Sequence, residues 1–271
     1  MATADEEKTI IDAVSGCLEK PEALYKAIQK QPFSTIFSKK RGKHRNVNRP
    51  FEMSEIAARE ILRCKDDYKV HPIQREQSYY IPQHETLAID AKNEIPAKYY
   101  PEKLEAKRFH NETFTGFGRI IDFETPLKGK DTDKGVGDID LLAYNEDKNH
   151  PVLTLLEYKI KNTHETLLRC VLEVYTYLKQ VNKERLAEDF SESLKEGFPI
   201  SPFKVDKNSE VKAAVFVHKD SLPYKHFFMG ENTHIRKLMR ELQVGFVSID
   251  AEFDGKGLVK VESVKVKVEE V

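Results

Sequence analysis

Two stretches decide the fold: Asp138-Ile139-Asp140-Leu141-Leu142-Ala143-Tyr144 and Val152-Leu153-Thr154-Leu155-Leu156-Glu157-Tyr158-Lys159-Ile160. Both are short, apolar and rich in β-branched or aromatic residues, which predicts strands. The linker Asn145-Glu146-Asp147-Lys148-Asn149-His150-Pro151 is made of turn-forming residues and predicts a hairpin. Side chains alternate along a strand, so Glu157 and Lys159 project from one face while Leu156, Tyr158 and Ile160 project from the other. Asp138 and Asp140 share a face of the first strand. A register that sets Tyr144 opposite Leu153 also sets Asp140 opposite Glu157, within side-chain reach. A slip of two residues leaves them diagonal. Charges at the end of an otherwise buried strand are costly unless they are paired or hold a metal.

Moving outward, Gly118 to Pro126 reads as a further extended run, followed by a loop from Lys128 to Gly137. A helix is predicted from Pro101 to about Glu112, with Pro at its first turn. Another runs from about Thr163 to Val181, with Asn162 as its cap, Glu165 three residues on, and Leu167, Leu168, Val171, Leu172, Tyr175 and Leu178 as its apolar face. Val211 to His218 predicts a strand, Thr233 to Gln243 a helix ended by Gly245, and Phe246 to Ala251 a strand. The tail from Leu258 to Val271 alternates Val with Lys or Glu, as a charge-protected edge strand does. The order helix, three strands, helix, strand, helix, strand implies an α/β fold, a mixed β-sheet flanked by helices.

Residues 1–98 read as a mainly helical N-terminal region, set apart from an α/β domain over residues 99–271. Helices are predicted over Asp5 to Glu19 and from Pro21, and a third with Ser54 as its N-cap. Residues 66–97 read as loop with short extended pieces. From Ser38 to Pro50 there are six Lys or Arg and no acid, a run able to contact phosphates or simply to be solvated. Tyr79 and Tyr80 suit base stacking less well than packing.

The chain has 44 Lys+Arg against 45 Asp+Glu, a formal net charge of -1, which argues against a histone-like polycation. Its 10% aromatics and many aliphatics exclude wholesale disorder. No apolar run approaches the ~20 residues of a membrane span, and the N-terminus carries no apolar signal segment. Cys17, Cys64 and Cys170 are odd in number and far apart, matching neither a disulfide framework nor a zinc site. A cytoplasmic protein with no membrane partner is the expectation. Asp131-Thr132-Asp133 superficially suggests a calcium loop, but Val136 and Leu142 stand where Gly and Glu are needed.

Two carboxylates and a lysine converging at a strand end suit divalent-metal chemistry on phosphates. The combination Gly137-Asp138-Ile139-Asp140, then Glu157-Tyr158-Lys159, then an amphipathic helix resembles the PD-(D/E)XK, or restriction-endonuclease-like, nuclease superfamily. Ile139 stands at the family's Pro. The resemblance implies a restriction-endonuclease-like core with Asp140 and Glu157 as ligands of Mg²⁺ or Mn²⁺, the Tyr158 carbonyl as a further ligand, and Lys159 as the catalytic lysine. It implies a glutamate from the first core helix, for which Glu105 is the candidate and Glu102 and Glu112 are rivals. Glu173 or Arg169 would supply the polar residue on the helix after the lysine; that helix lacks the Gln-x-x-x-Tyr signature of some subgroups. Asp138 is a rival ligand or a support to one. Lys161 and His164 are substrate-binding candidates at the rim. The implied activity is phosphodiester hydrolysis of nucleic acid, with DNA the leading substrate. The alternative is an inactive nuclease-like module that binds nucleic acid or a protein partner. A homodimer is compatible with either.

Overall fold

A computed structural model of the chain describes residues 3–17, 24, 49–91, 101–130, 136–146, 151–193, 209–229, 232–254 and 257–267. Its helices are α1 (Ala4–Cys17), α2 (Arg49–Arg63), α3 (Gln83–Ala91), α4 (Pro101–Phe109), α5 (Leu167–Gln180), α6 (Lys183–Ser193), α7 (Leu222–Met229) and α8 (Thr233–Leu242). Its strands are β1 (Thr113–Phe114), β2 (Gly118–Pro126), β3 (Asp138–Glu146), β4 (Pro151–Lys159), β5 (Glu210–His218), β6 (Val244–Asp254) and β7 (Gly257–Lys267). They form one sheet in the order β1-β2-β3-β4-β5-β6-β7. Pairing is antiparallel from β1 to β4, parallel from β4 through β6, and antiparallel again between β6 and β7. Each parallel step needs a crossover; α5 and α6 supply the first, α7 and α8 the second. The fold is α/β, a mixed sheet flanked by helices, as the order of elements implied.

Alternation sorts the strand residues into two cores. On one face Leu142, Tyr144, Leu153, Leu155, Val215 and Val217 pack with the apolar side of α5 and with residues of α1 and α2 such as Ile10, Val14, Met53 and Ile61. On the other face Leu141, Ala143, Leu156, Tyr158, Phe216 and Val247 pack with Ala106 and Phe109 of α4. The edges and ends of this sandwich are where polar side chains gather. Gly118, where β2 begins, has φ +92, and a Cβ there would lie 2.1 Å from the Tyr144 carbonyl oxygen. Only glycine tolerates both conditions.

Several local expectations give way. Ser54 is not a cap: it lies inside α2 with 0% exposure, because the helix begins five residues earlier at Arg49. Residues 83–91, expected to be loop, form α3. Thr166, not Asn162, caps α5, its Oγ1 accepting the Arg169 N–H at 3.3 Å. Gly245 does not end α8; Gln243 does so in the left-handed region at φ 55, and Gly245 already belongs to β6. Helices α6 and α7 add to the elements that the sequence pattern predicts. The helix expected from Pro21 (Leu24 apart) and the basic run after Ser38, Arg49 apart, lie outside the described residues. Among the described residues no helix is long and apolar enough to cross a membrane.

The N-terminal helices are tied to the sheet by charge as well as by packing. Asn232 makes no side-chain cap for α8. Instead Glu55 of α2 accepts the N–H of His234 at 2.7 Å and that of Ile235 at 3.0 Å, capping α8 from another helix. The carboxylate also complements the positive helix end. Glu55→Ala is expected to lower stability by about 2 kcal/mol, toward the upper end for a lost cap, measured by urea unfolding; an unchanged midpoint would show the cap to be idle.

Candidate metal centre

The β3–β4 ladder runs from Glu146–Pro151 to Leu141–Leu156 and includes Tyr144–Leu153. One step further sets Asp140 opposite Glu157. There the ladder gives way to a side chain: the Tyr158 N–H donates to Asp140 Oδ2 at 2.9 Å. Asp140, Glu157 and Lys159 have the parity of Leu142 and Leu155, so all three stand on the face covered by α5.

Lys159 is the hub. Its Nζ lies 2.7 Å from Glu157 Oε1, 3.0 Å from Glu102 Oε1, 3.2 Å from Glu165 Oε2 and 3.8 Å from Asp140 Oδ2. Lys159 is 3% exposed and Glu157 2%. Beyond Glu165, α5 presents Arg169, Glu173 and Tyr177 four residues apart, on one stripe of the helix. Arg169 pairs with Glu165 and, at 3.1 Å, with Glu173 Oε2; the Tyr177 hydroxyl donates to Glu173 Oε1 at 3.0 Å. One carboxylate oxygen from each of Glu157, Glu165 and Glu173 lies within 4.8 Å of the others.

Five carboxylates thus meet two cationic side chains, and the proton affinities of Asp140, Glu157 and Lys159 reflect it. Burial, opposed by Lys159 but reinforced by Glu102 and Glu173, pushes Asp140 up to about 7. Burial, with Asp140 and Glu173 beside it, drives Glu157 well above the usual carboxylate range. Burial alone would lower Lys159, yet Glu157, Asp140 and Glu102 outweigh it and hold the ammonium charged. Glu157 Oε2 is buried and has no hydrogen-bond partner among the described residues, an arrangement that costs about 1–3 kcal/mol when nothing compensates it. An oxygen-only donor set, an orphaned buried carboxylate oxygen and surplus negative charge all fit a hard divalent cation.

Other candidates fall elsewhere. Glu105 lies on the opposite face of the sheet, where its Oε2 accepts the Tyr158 hydroxyl at 2.5 Å. The α4 residue that reaches Lys159 is Glu102, one turn earlier, which passes round the strand end. Glu112 follows the end of α4, and its carbonyl accepts the Ile120 N–H. Asp138 is exposed at the start of β3, and Lys161 and His164 are exposed between β4 and α5. Glu165 escaped notice as a site residue because a cap at Asn162 put it inside the helix. With Thr166 as the cap it stays in the preceding loop and can turn to Lys159. Thr166 directly before Leu167-Leu168 was the available signal.

Gly137 abuts the far end of the α5 stripe. A Cβ there would lie 2.3 Å from the Tyr177 hydroxyl oxygen, and the buried ring has little room to yield. Gly137→Ala is expected to cost about 1–3 kcal/mol of stability, part of it by displacing the hydroxyl from Glu173. Tyr177→Phe, which removes that bond without overpacking, separates the overpacking from the lost hydrogen bond; thermal melts of the two variants read them.

The chain is therefore an α/β protein with a half-buried cluster of carboxylates around a buried lysine at the end of its central strands. No family model matches it, and no curated protein does. Among solved structures, that of Pyrococcus furiosus SfsA in complex with Ca²⁺ is similar at 13% identity with a TM-score of 0.25. The match covers 54% of this chain and 53% of that one, so the chain spans about half the length of the structure it matches.

Proposed function

We propose that the chain is a divalent-metal-dependent phosphodiesterase of the PD-(D/E)XK type acting on nucleic acid, with DNA the leading substrate. The observation that carries this reading is the buried Oε2 of Glu157, without a hydrogen-bond partner among the described residues, two residues from Lys159 and beside Asp140. The order α4-β2-β3-β4-α5-β5 around these residues supports it. Asp140 and Glu157 would hold Mg²⁺ or Mn²⁺, with Glu165 and Glu173 near enough to share the load and the Tyr158 carbonyl at the same level. When bound, the cation supplies Lewis-acid stabilisation of a phosphoryl oxygen and a more acidic water. Lys159, kept charged by its carboxylates, orients the attacking water and offsets charge on the phosphoryl group through Nζ; it does not accept the proton. Lys161 and His164, exposed at the rim, face incoming substrate. In this reading residues 99–271 form the nuclease-like unit and residues 1–98 the helical addition to it.

The test is cleavage of a DNA substrate in Mg²⁺ or Mn²⁺, alongside calorimetry with Mn²⁺. Asp140→Asn is expected to lose both cleavage and the binding heat. Cleavage that persists in EDTA, or undiminished in Asp140→Asn, refutes the proposal. One observation favours a second reading. Lys159 engages four carboxylates at once and so partly neutralises the site without any cation, as a binding module that has lost turnover would need. Absence of Mn²⁺ heat together with retained binding of nucleic acid or a protein partner would select it.

A further inference from the structure

At the other end of the central strands lies a cavity of about 510 Å³. Val152, Glu210 and Val244, at the starts of β4, β5 and β6, line it. Val152 and Lys159 are seven residues apart along β4, so ~23 Å separates the cavity from the carboxylate cluster at ~3.3 Å per residue. Its volume is that of a small-molecule site.

Two surfaces meet in it. One is apolar: Leu178, Phe227, Met239 and Phe246, with the Phe227 and Phe246 rings stacked 3.9 Å apart. The other is basic: Lys179, Lys183, Lys212, Arg236 and Arg240. Among the described residues lining the cavity the sole carboxylate is Glu210, which is paired with Lys212 at 3.1 Å. Helix ends account for part of this charge. Lys179 and Arg240 lie in the last turns of α5 and α8, where cations suit the negative end. Arg236 is fixed over the Phe227 ring at 4.3 Å and donates to the Phe227 carbonyl at 2.8 Å. Lys183 has no such account. It opens α6, the helix end that repels a cation; partial burial and neighbouring Lys179 lower its affinity for a proton, while Glu210 raises it. Lys179 and Lys183 are both exposed at the mouth, and an anion lying between them would relieve their mutual repulsion and that of the helix end.

We propose that this cavity binds a nucleoside polyphosphate, its phosphates between Lys183, Lys179 and Arg240 and its base against the apolar wall. Several cations spread around one mouth match a ligand with more than one phosphate, and Lys and Arg are the usual phosphate partners. Phe227 is covered on both faces, by Phe246 and Arg236, so the apolar contact left for a base is the rim formed by Leu178, Met239 and Leu242, which a bare inorganic ion would not use. Asn145 and Thr154 add hydrogen-bonding groups to the lining. The site is independent of the carboxylate cluster and needs no metal.

The test is calorimetric titration of the full chain with ATP and with inorganic tripolyphosphate, both in EDTA. ATP is expected to bind one per chain, in the range of about 10–100 µM, and more weakly as salt rises. Lys183→Glu, which the helix dipole itself favours and which therefore folds, should weaken ATP at least about tenfold, a difference of about 1.4 kcal/mol. Asp140→Asn should leave ATP binding unchanged, so failure of the nuclease reading does not touch this result. No heat with ATP, equal affinity in Lys183→Glu, or tripolyphosphate binding as tightly as ATP each overturns the proposal.

Discussion

Glu157→Gln is expected to abolish cleavage, by at least about a thousandfold or roughly 4 kcal/mol of transition-state stabilisation, and yet to raise the melting temperature of the metal-free chain at alkaline pH. The sign follows from the direction of the shifts. Glu157 and Asp140 both have proton affinities raised above those of the unfolded chain. A raised value contributes stability that is complete below the unfolded value, near pH 4, and is lost as pH rises through the folded value, about 7 for Asp140. At about pH 8 the crowded carboxylates are therefore a cost to the fold, which an amide at position 157 relieves while still accepting from Lys159. Near pH 4 Glu157 is itself protonated and as neutral as the amide that replaces it, so the gain should vanish. Thermal melts in EDTA at the two pH values check this. A lower melting temperature for Glu157→Gln at pH 8 would mean that the carboxylates are not in surplus.

Lys159→Met has the opposite signature. Removing the hub leaves Glu157, Glu102, Glu165 and Asp140 converging with no ammonium between them. Breaking a buried ion pair by removing one partner costs about 3–5 kcal/mol, and the methionine keeps most of the volume filled, so the loss is electrostatic. Urea unfolding at about pH 8 should show it in full. The deficit should shrink as pH falls and Glu157 and Asp140 protonate, and again on adding Mn²⁺, which replaces the missing charge. Cleavage should not return with stability, because the cation restores the fold without restoring a donor at Nζ. A pH-independent deficit would assign the loss to packing; full cleavage would remove Lys159 from the chemistry.

Much of this site was legible because strands carry a rigid code. A period of two leaves no freedom once one pair is aligned, so Tyr144 opposite Leu153 forced Asp140 toward Glu157, and both toward the face of Lys159. The helical contributions were harder to read. Whether Glu102 or Glu105 meets the lysine depends on how α4 is rotated and on which side of the sheet it lies, and nothing in a nine-residue helix with mixed charges specifies that. Glu165 depended on which of two acceptable caps begins α5, a difference of four residues with little local energy between them. The role of Glu55 was illegible for a different reason: it joins α2 to α8 across 179 residues of chain, a contact with no local pattern. Tyr177 and Gly137 likewise meet only because β3 starts beneath the last turns of α5.

Strand order in the sheet has a consequence for how the chain assembles. Each strand lies beside the one before it, so each pairing within the sheet closes the shortest loop open to it, while the β4–β5 crossover and the packing of α2 on α8 span far longer stretches of chain. The β3–β4 hairpin, spanning Asp138–Lys159, is among the most local of these units. The two acids would then be brought together before α5 arrives to enclose them, still bathed in solvent and able to capture an ion while folding is under way. Pulse-labelled hydrogen exchange, with early protection over Leu141–Leu156 that strengthens in Mn²⁺, is the corresponding kinetic signature.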